Sequence, residues 1–455
     1  MILATLDFGT TETPGESHRS AFSKIDENFQ IVKEEVENLA LGGAAQGDQA
    51  IANMGLSVLV ASGIDTVRYV NPIPDNWQAE ADTIVKAILG TPNIGDNAFD
   101  GCNSLASLTI SVAARTGGGN SMVRTWAYCS TLTTFPGLSV AGVTNFTGTW
   151  RNCTGLTSFP ALNMTSGTLF DYAWDQCTGL TSFPVINMSN GVSFINTWAG
   201  CGFTSFPVLN LQAAGDFTGA WSGCTGLTSF PVLTGLIADN FTGAWSDCSG
   251  LTSFPALSLV GGYSSGGVVL DGAWSGCSGL TGFPSGINLS AGVSFVNTWA
   301  GCTGLTGFPA LDLSAGVSFS NAWGGCTGLT SFPALSIPVC TDLSSAWYGC
   351  TGLITFPAID MASVTSFSST WNGCSGLTEF PASVFDGCTA TDFAGAFAGC
   401  ALDEASVDNI LVSLDTAGAS NGTLDINGGT SSAPGSAGVA AIANLVGKGW
   451  TVNTN

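Results

Sequence analysis

The sequence predicts a parallel-β solenoid of about 11–13 turns of ~24 residues each. Two observations carry this. Trp126, Trp150, Trp174, Trp198, Trp221, Trp245, Trp274, Trp299, Trp323, Trp347 and Trp371 each have a cysteine three positions on. A Phe-Pro pair follows nearly every one, as in Phe159-Pro160, Phe183-Pro184, Phe230-Pro231 and Phe332-Pro333, with an apolar residue three places after the Phe (Leu162, Ile186, Leu233, Leu335). A unit this short cannot bury its own apolar face. Its Trp, Cys, Leu, Phe and Leu must therefore stack on their counterparts in neighbouring turns and form one continuous core. A short parallel strand per turn is expected. Proline has no N–H, which places each Phe-Pro pair at the start of its strand. With strands roughly 4.8 Å apart, eleven turns would extend roughly 50 Å.

Taken in order, the chain divides into four expected regions: 1–45, an N-terminal helix; 46–96, an N-terminal cap; 97–400, the solenoid; and 401–455, a C-terminal α/β cap. Within the first, Thr13-Pro14-x-Glu16 has the form of a capping box with proline at the first helical position. Phe22, Ile25, Phe29, Val32, Val36 and Leu39 then follow at spacings of three and four, an a/d seam. Such a seam serves either self-association, with bulky Phe at two a positions favouring a trimer, or packing on the chain's own domain. Ala40 to Asp48, rich in Gly and Ala, reads as a hinge. Beyond it, 56–61 and 66–70 read as strands, and 76–89 reads as an amphipathic helix with Trp77, Ala81, Ile84, Val85 and Ile88 on one face. At the far end a helix is expected over 403–414, a strand in Thr-Leu-Asp-Ile-Asn, a helix over 437–446 and a strand in Gly-Trp-Thr-Val-Asn. These elements can close the core or contact a receptor.

Two stretches resemble known families. The units Asn97 to Ile110 and Val364 to Pro381 resemble the BspA-like leucine-rich repeats of bacterial surface proteins, with their aromatic-x-x-Cys-x-x-Leu core. The resemblance covers about 97–400 and implies a solenoid of leucine-rich-repeat type; it implies little about activity, since that fold serves many binding roles. Gly15 to Val32 resembles the short N-terminal helix of bacteriophage tail fibres and other virion appendages. The matching residues are Gly15, Glu16, Ser17, Arg19, Ala21, Phe22, Lys24, Ile25, Asp26, Asn28 and Phe29. That resemblance implies a virion-attachment or assembly region. Gly422-Thr423-Leu424-Asp425 and Gly449-Trp450 are similar to features of C-terminal regions in phage tail proteins.

Nine Lys and Arg against 32 Asp and Glu give a formal net charge of −23. After Arg151 no cation occurs until Lys448. A solenoid without cations has no phosphate footprint, which argues against nucleic acid as a partner. The acidic excess serves solubility or bridges through divalent cations to anionic surface glycans. The fifteen cysteines occur about once per turn and not in Cys-x-x-Cys pairs, so no zinc site is expected. Most should be buried and inert, with Cys340 and Cys388 off the main spacing. No stretch approaches 18 apolar residues, and the first twenty lack a secretory pattern, so membrane insertion and export are not expected.

No catalytic constellation, cofactor site or metal site is expected. His18, the only histidine, has no nucleophile and orienting group to join it. Carboxylate pairs such as Asp171 with Asp175 are irregular from turn to turn, against the geometry that sugar hydrolysis requires. The Trp245–Trp274 interval is about five residues longer than its neighbours, and solenoid insertions map to loops on one face. Tyr263, Ser264 and Ser265 in that surplus are the candidate receptor-binding residues, or else part of a neutral insertion. The expected function is a non-enzymatic phage tail fibre or virion appendage, homo-oligomeric, docked on other virion proteins through its N-terminus and displaying the solenoid to a host-surface glycan or protein. The alternatives are a structural decoration of capsid or tail without a ligand and, third, a bacterial surface adhesin.

Overall fold

The computed structural model describes residues 94–110, 120–211, 215–233, 238–259 and 266–455, together with the backbone of three strands nearer the N-terminus. The seam Phe22, Ile25, Phe29, Val32, Val36 and Leu39 and the loop residues Tyr263, Ser264 and Ser265 lie outside the described residues.

The repeat winds the chain into a coil whose successive turns are joined by parallel backbone bridges. One ladder runs without a gap through Ser121, Asn145, Leu169, Ser193, Asp216, Asn240, Val269, Ser294, Ser318, Asp342, Ser366, Asp392, Thr423 and Thr451. The long interval before Trp274 leaves this ladder intact, because Asn240 pairs with Val269 across it. Beside each rung the backbone forms a train of β-turns. In the turn of Trp150, Thr149 N–H donates to Phe146 and Arg151 N–H to Gly148, while the intervening N–H groups of Phe146, Gly148, Trp150 and Asn152 donate to the next turn at Leu169, Asp171, Ala173 and Asp175. Alternate amides thus bond within a turn and between turns, which satisfies the backbone without extended strands.

This corrects the expectation of a strand in each Phe-Pro segment. Around those prolines the chain makes only scattered single bridges, such as Thr134 with Ser158 and Ser331 with Thr355. A proline recurring in every turn supplies no N–H, so a ladder cannot continue through that column. True strands are few and short: β4 (Ser107–Ile110), β5 (Val268–Val269), β6 (Gly292–Ser294) and β7 (Asp392–Phe393).

Upstream, β1 (Val58–Ala61) pairs antiparallel with both β2 (Val67–Tyr69) and β3 (Ile84–Leu89), and β3 pairs parallel with β4. Strands β1 and β2 fall within the two segments expected to be strands. Strand β3 is a correction, since Ile84–Leu89 is expected from its spacing to end a helix. Its run Ile-Val-x-Ala-Ile-Leu is β-branched and apolar, which suits a strand paired on both edges better than a helix.

At the other end the coil continues as helix α1 (Glu404–Ala417), β8 (Thr423–Asp425), helix α2 (Ser436–Gly447) and β9 (Thr451–Asn453). Asp403 caps α1 by accepting from the Ser406 N–H at 2.8 Å, and Gly418 ends it at φ 81°. Strands β8 and β9 extend the ladder while α1 and α2 pack on each other.

The core is a set of files. Consecutive Trp rings from Trp126 to Trp371 stack with centroids 5.1–6.1 Å apart and planes within 12°. The Phe of a Phe-Pro pair stands edge-on to two rings of this file, as Phe135 does to Trp126 (4.8 Å) and Trp150 (5.3 Å) and Phe380 does to Trp371 and Phe397. A second aromatic file lies four residues before the Trp in most turns and includes Phe146, Phe170, Phe194, Phe217 and Phe241, with Met122, Leu270 and Leu343 in that place elsewhere. It is not among the columns expected from the repeat, and its rings stack 5.2–5.4 Å apart. Phe99 and Phe397 take the Trp place at the two ends of the main file.

Candidate functional site

The Trp, Cys, Leu and Phe columns of the repeat point inward, and the surface is made chiefly by Ser, Thr, Asn and Gly, with an exposed apolar place after the Phe-Pro pair at Val185, Val208 and Val232. One exposed column is a file of threonines after the repeat's Leu in most turns, several of whose hydroxyls donate to the carbonyl of the preceding turn: Thr157 to Thr133 at 3.1 Å, Thr306 to Thr281 at 3.2 Å, Thr330 to Thr306 at 3.1 Å. This surface is bonded to itself.

The exception lies in the turns of Phe99, Trp126, Trp150 and Trp174. Asp100 accepts from Arg124 Nε and Nη2, each at 2.9 Å, and the guanidinium of Arg124 lies 5.6 Å from the Tyr128 ring centroid. Asp175 accepts from Arg151 Nε at 2.9 Å, and that guanidinium lies 5.0 Å from the ring of Tyr172. The two halves meet over Gly148, where an added Cβ would sit 3.2 Å from Arg124 Cγ and 3.9 Å from Arg151 Cβ. Tyr128 is 37% exposed, whereas Asp175 is buried beneath the cluster. Burial pushes the carboxyls of Asp100 and Asp175 above their ordinary range, against the opposing pull of Arg124 and Arg151. Asp171, alongside, accepts from Ser193 Oγ and the Ile195 N–H.

Backbone conformation sets this cluster apart. Each turn holds two residues with positive φ, one two places before the Trp and one two places after it. From Asn196 onward these places carry only Gly, Asn, Ser or Asp, for example Gly219 and Gly223, Gly243 and Asp247, Asn321 and Gly325. Those residues tolerate the left-handed region. In the first turns the same places hold Arg124 (φ 52°), Tyr128 (62°), Tyr172 (58°) and Gln176 (60°). A left-handed backbone costs such residues roughly 1–2 kcal/mol each, a strain that glycine would remove. Strain of this kind collects where side-chain chemistry is needed. The signal is present in the sequence, since Arg124, Tyr128, Tyr172 and Gln176 interrupt an otherwise small-residue column, but the column is visible only once φ is known.

Other residues with chemical potential are engaged elsewhere. Asp171 and Asp175, considered as a carboxylate pair, have different partners, Asp171 with Ser193 and Asp175 with Arg151. All fifteen cysteines are buried. Cys340 and Cys388, which lie off the main spacing, are free thiols that donate to Asp342 and Val364 carbonyls at 3.6 Å. Among the described residues no group of side chains is arranged to hold a metal ion, and no helix is long and apolar enough to cross a membrane.

No protein-family model matches this chain, and no curated protein matches it by sequence. Solved structures do. A leucine-rich cell-surface protein from Faecalibacterium prausnitzii is 18% identical with a TM-score of 0.36, over 64% of this chain and 76% of that one. A leucine-rich repeat protein from Bacteroides ovatus is 16% identical with a TM-score of 0.33, over 77% and 93%. The functional domain of InlJ from Listeria monocytogenes, which includes a cysteine ladder, is 14% identical with a TM-score of 0.21, over 66% and 70%. The repeat of the present chain stands on its own bond register and its own files.

Proposed function

We propose that this chain is a non-enzymatic recognition protein, a phage tail fibre or related virion appendage that displays its coil to a host surface. The observation that carries the reading is the unbroken ladder from Ser121 to Thr451, which turns the aromatic columns of the repeat inward and leaves an outer face rich in Ser, Thr, Asn and Gly with scattered carboxylates. Such a scaffold holds side chains at fixed intervals along one surface, an arrangement suited to binding. The attachment role is supported by the resemblance of Gly15 to Val32 to appendage helices, and the seam Phe22 to Leu39 would gather copies, a trimer by preference. Several copies multiply weak contacts into useful avidity.

Immunoelectron microscopy of the parent particle with antibody to the coil tests the location, and the same antibody tests the role. Labelled appendages together with blocked adsorption are expected. A particle without label excludes the virion reading. Labelled particles that adsorb normally favour the second reading, a structural decoration, for which the self-bonded threonine file is the supporting observation.

A further inference from the structure

We infer that the Arg124–Tyr128–Arg151–Tyr172 cluster is a carbohydrate-binding patch and that it takes a neutral sugar. The inference rests on the recognition reading and locates the contact within it. Three observations lead to it. First, four side chains unsuited to left-handed backbone occupy places that later turns fill with Gly, Asn, Ser or Asp. The fold does not need them there. Second, each arginine is fixed by a carboxylate at 2.9 Å and lies against a tyrosine ring. Arg151 pairs with Asp175 through Nε at 2.9 Å and carries two further nitrogens as planar donors. Third, the patch has no excess of positive charge: Arg124 answers Asp100 and Arg151 answers Asp175, with Asp171 adding negative charge beside them.

An anionic ligand would gain nothing from a patch so balanced on a chain of net charge −23. A polyhydroxylated neutral ligand is well served. Guanidinium groups donate to its hydroxyls, while Asp171 and the side-chain amides of Asn152 and Gln176 accept and donate. The partly exposed Tyr128 ring offers an apolar surface to C–H groups.

Printed glycans of both kinds, neutral and acidic, are the probe, with the full-length chain as wild type and as the double variant Tyr128→Gly/Tyr172→Gly. Glycine relieves the positive φ at both places, so the double variant is expected to melt at or above the wild-type temperature. It is expected to lose at least tenfold in affinity for the neutral glycans that wild type binds. That binding should change less than twofold between 50 and 500 mM salt, since no net charge is neutralised. Wild type that selects acidic glycans, or binds none, overturns the inference, as does a double variant that binds like wild type. Competition with the parent particle for host cells separates the two levels. If wild type and the double variant compete equally, recognition stands and this patch is excluded; if neither competes, the recognition reading falls as well.

Discussion

The thiol of Cys153 donates to the carbonyl of Trp126 across 3.1 Å, from one turn of the coil to the turn before it. The same carbonyl accepts the Cys129 N–H at 3.3 Å, so one oxygen serves two cysteines, one in its own turn and one in the next. The contact repeats from Cys177 on Trp150 to Cys400 on Trp371, at 3.0–3.2 Å throughout. The cysteine of the repeat is thus a small apolar filler with one weak donor, aimed at a carbonyl of the neighbouring turn.

Alkaline pH should unfold this protein through these thiols. Burial pushes Cys153, Cys248 and Cys302 up to about 12. An unfolded thiol ionises near 8.5, so the unfolded state loses protons first as pH rises. The stability held below that point is lost progressively as pH approaches the folded value. The urea midpoint should be flat from pH 6 to 8 and fall steadily above 9. Iodoacetamide at pH 8 should label none of these three residues until denaturant is added. A midpoint unchanged at pH 11 would contradict the account.

The glycine that precedes the repeat's Leu from Gly155 to Gly376 is held by close approach. A Cβ on Gly179 would lie 2.6 Å from the Thr154 carbonyl oxygen and 2.9 Å from that of Leu156. Backbone cannot yield as a side chain can, so Gly179→Ala should cost at least about 2 kcal/mol, within the range for overpacking. Gly282→Ala is the control, since nothing lies within 4 Å of its added Cβ; it should be neutral or slightly stabilising. Equal melting temperatures for the two variants would refute the steric argument.

The indole N–H of Trp245 has no hydrogen-bond partner, like those of the other ten core tryptophans. Its replacement by Phe removes a buried unsatisfied donor, worth about 1–3 kcal/mol, and leaves a void of similar cost. Trp245→Phe should therefore stay within about 1 kcal/mol of wild type by urea unfolding, by the offset of those two effects. Trp245→Ala should lose about 3–5 kcal/mol or more. Phe99 and Phe397 already stack in this file. A large loss in the Phe variant would mean that the N–H is used.

Acid acts on the last helices. Burial pushes the Asp415 carboxyl up, but hydrogen bonds from Lys448 and Asn444 and the charge of Lys448 outweigh it and hold the carboxyl below its ordinary value. A depressed carboxyl contributes stability above the unfolded value, near 3.9, and loses it as pH falls through the folded one. Lys448 Nζ also bonds the Asp415 main-chain oxygen at 2.6 Å. Lys448→Met should speed amide exchange in α2 at pH 7 while leaving the central turns unchanged; uniform exchange across both regions would argue against a local tie.

Much of the core is legible in the order of the residues. The Trp, Cys, Leu and Phe columns repeat at fixed spacing, and a repeated apolar residue in a short unit has nowhere to go but inward. The C-terminal alternation is legible for the same kind of reason, since Asp403 announces α1 and Gly418 closes it. Ile84–Leu89 is ambiguous because its apolar residues fit both periodicities, and only pairing with β1 and β4 selects the strand. The Arg124–Tyr172 cluster cannot be seen in the linear order because its members come from separate turns.

By itself the sequence determined that the chain coils, how long each turn is, which side chains fill the interior, and that the stretch from 152 to 447 carries no cation. Those follow from spacing and composition, which are properties of one dimension. The tertiary structure decided that most turns join by single bridges rather than strands, that two residues per turn are left-handed, and that Arg124, Tyr128, Arg151 and Tyr172 share one surface. These depend on the rise between turns and on alternate amides pointing along the coil, distances and directions that no linear pattern encodes.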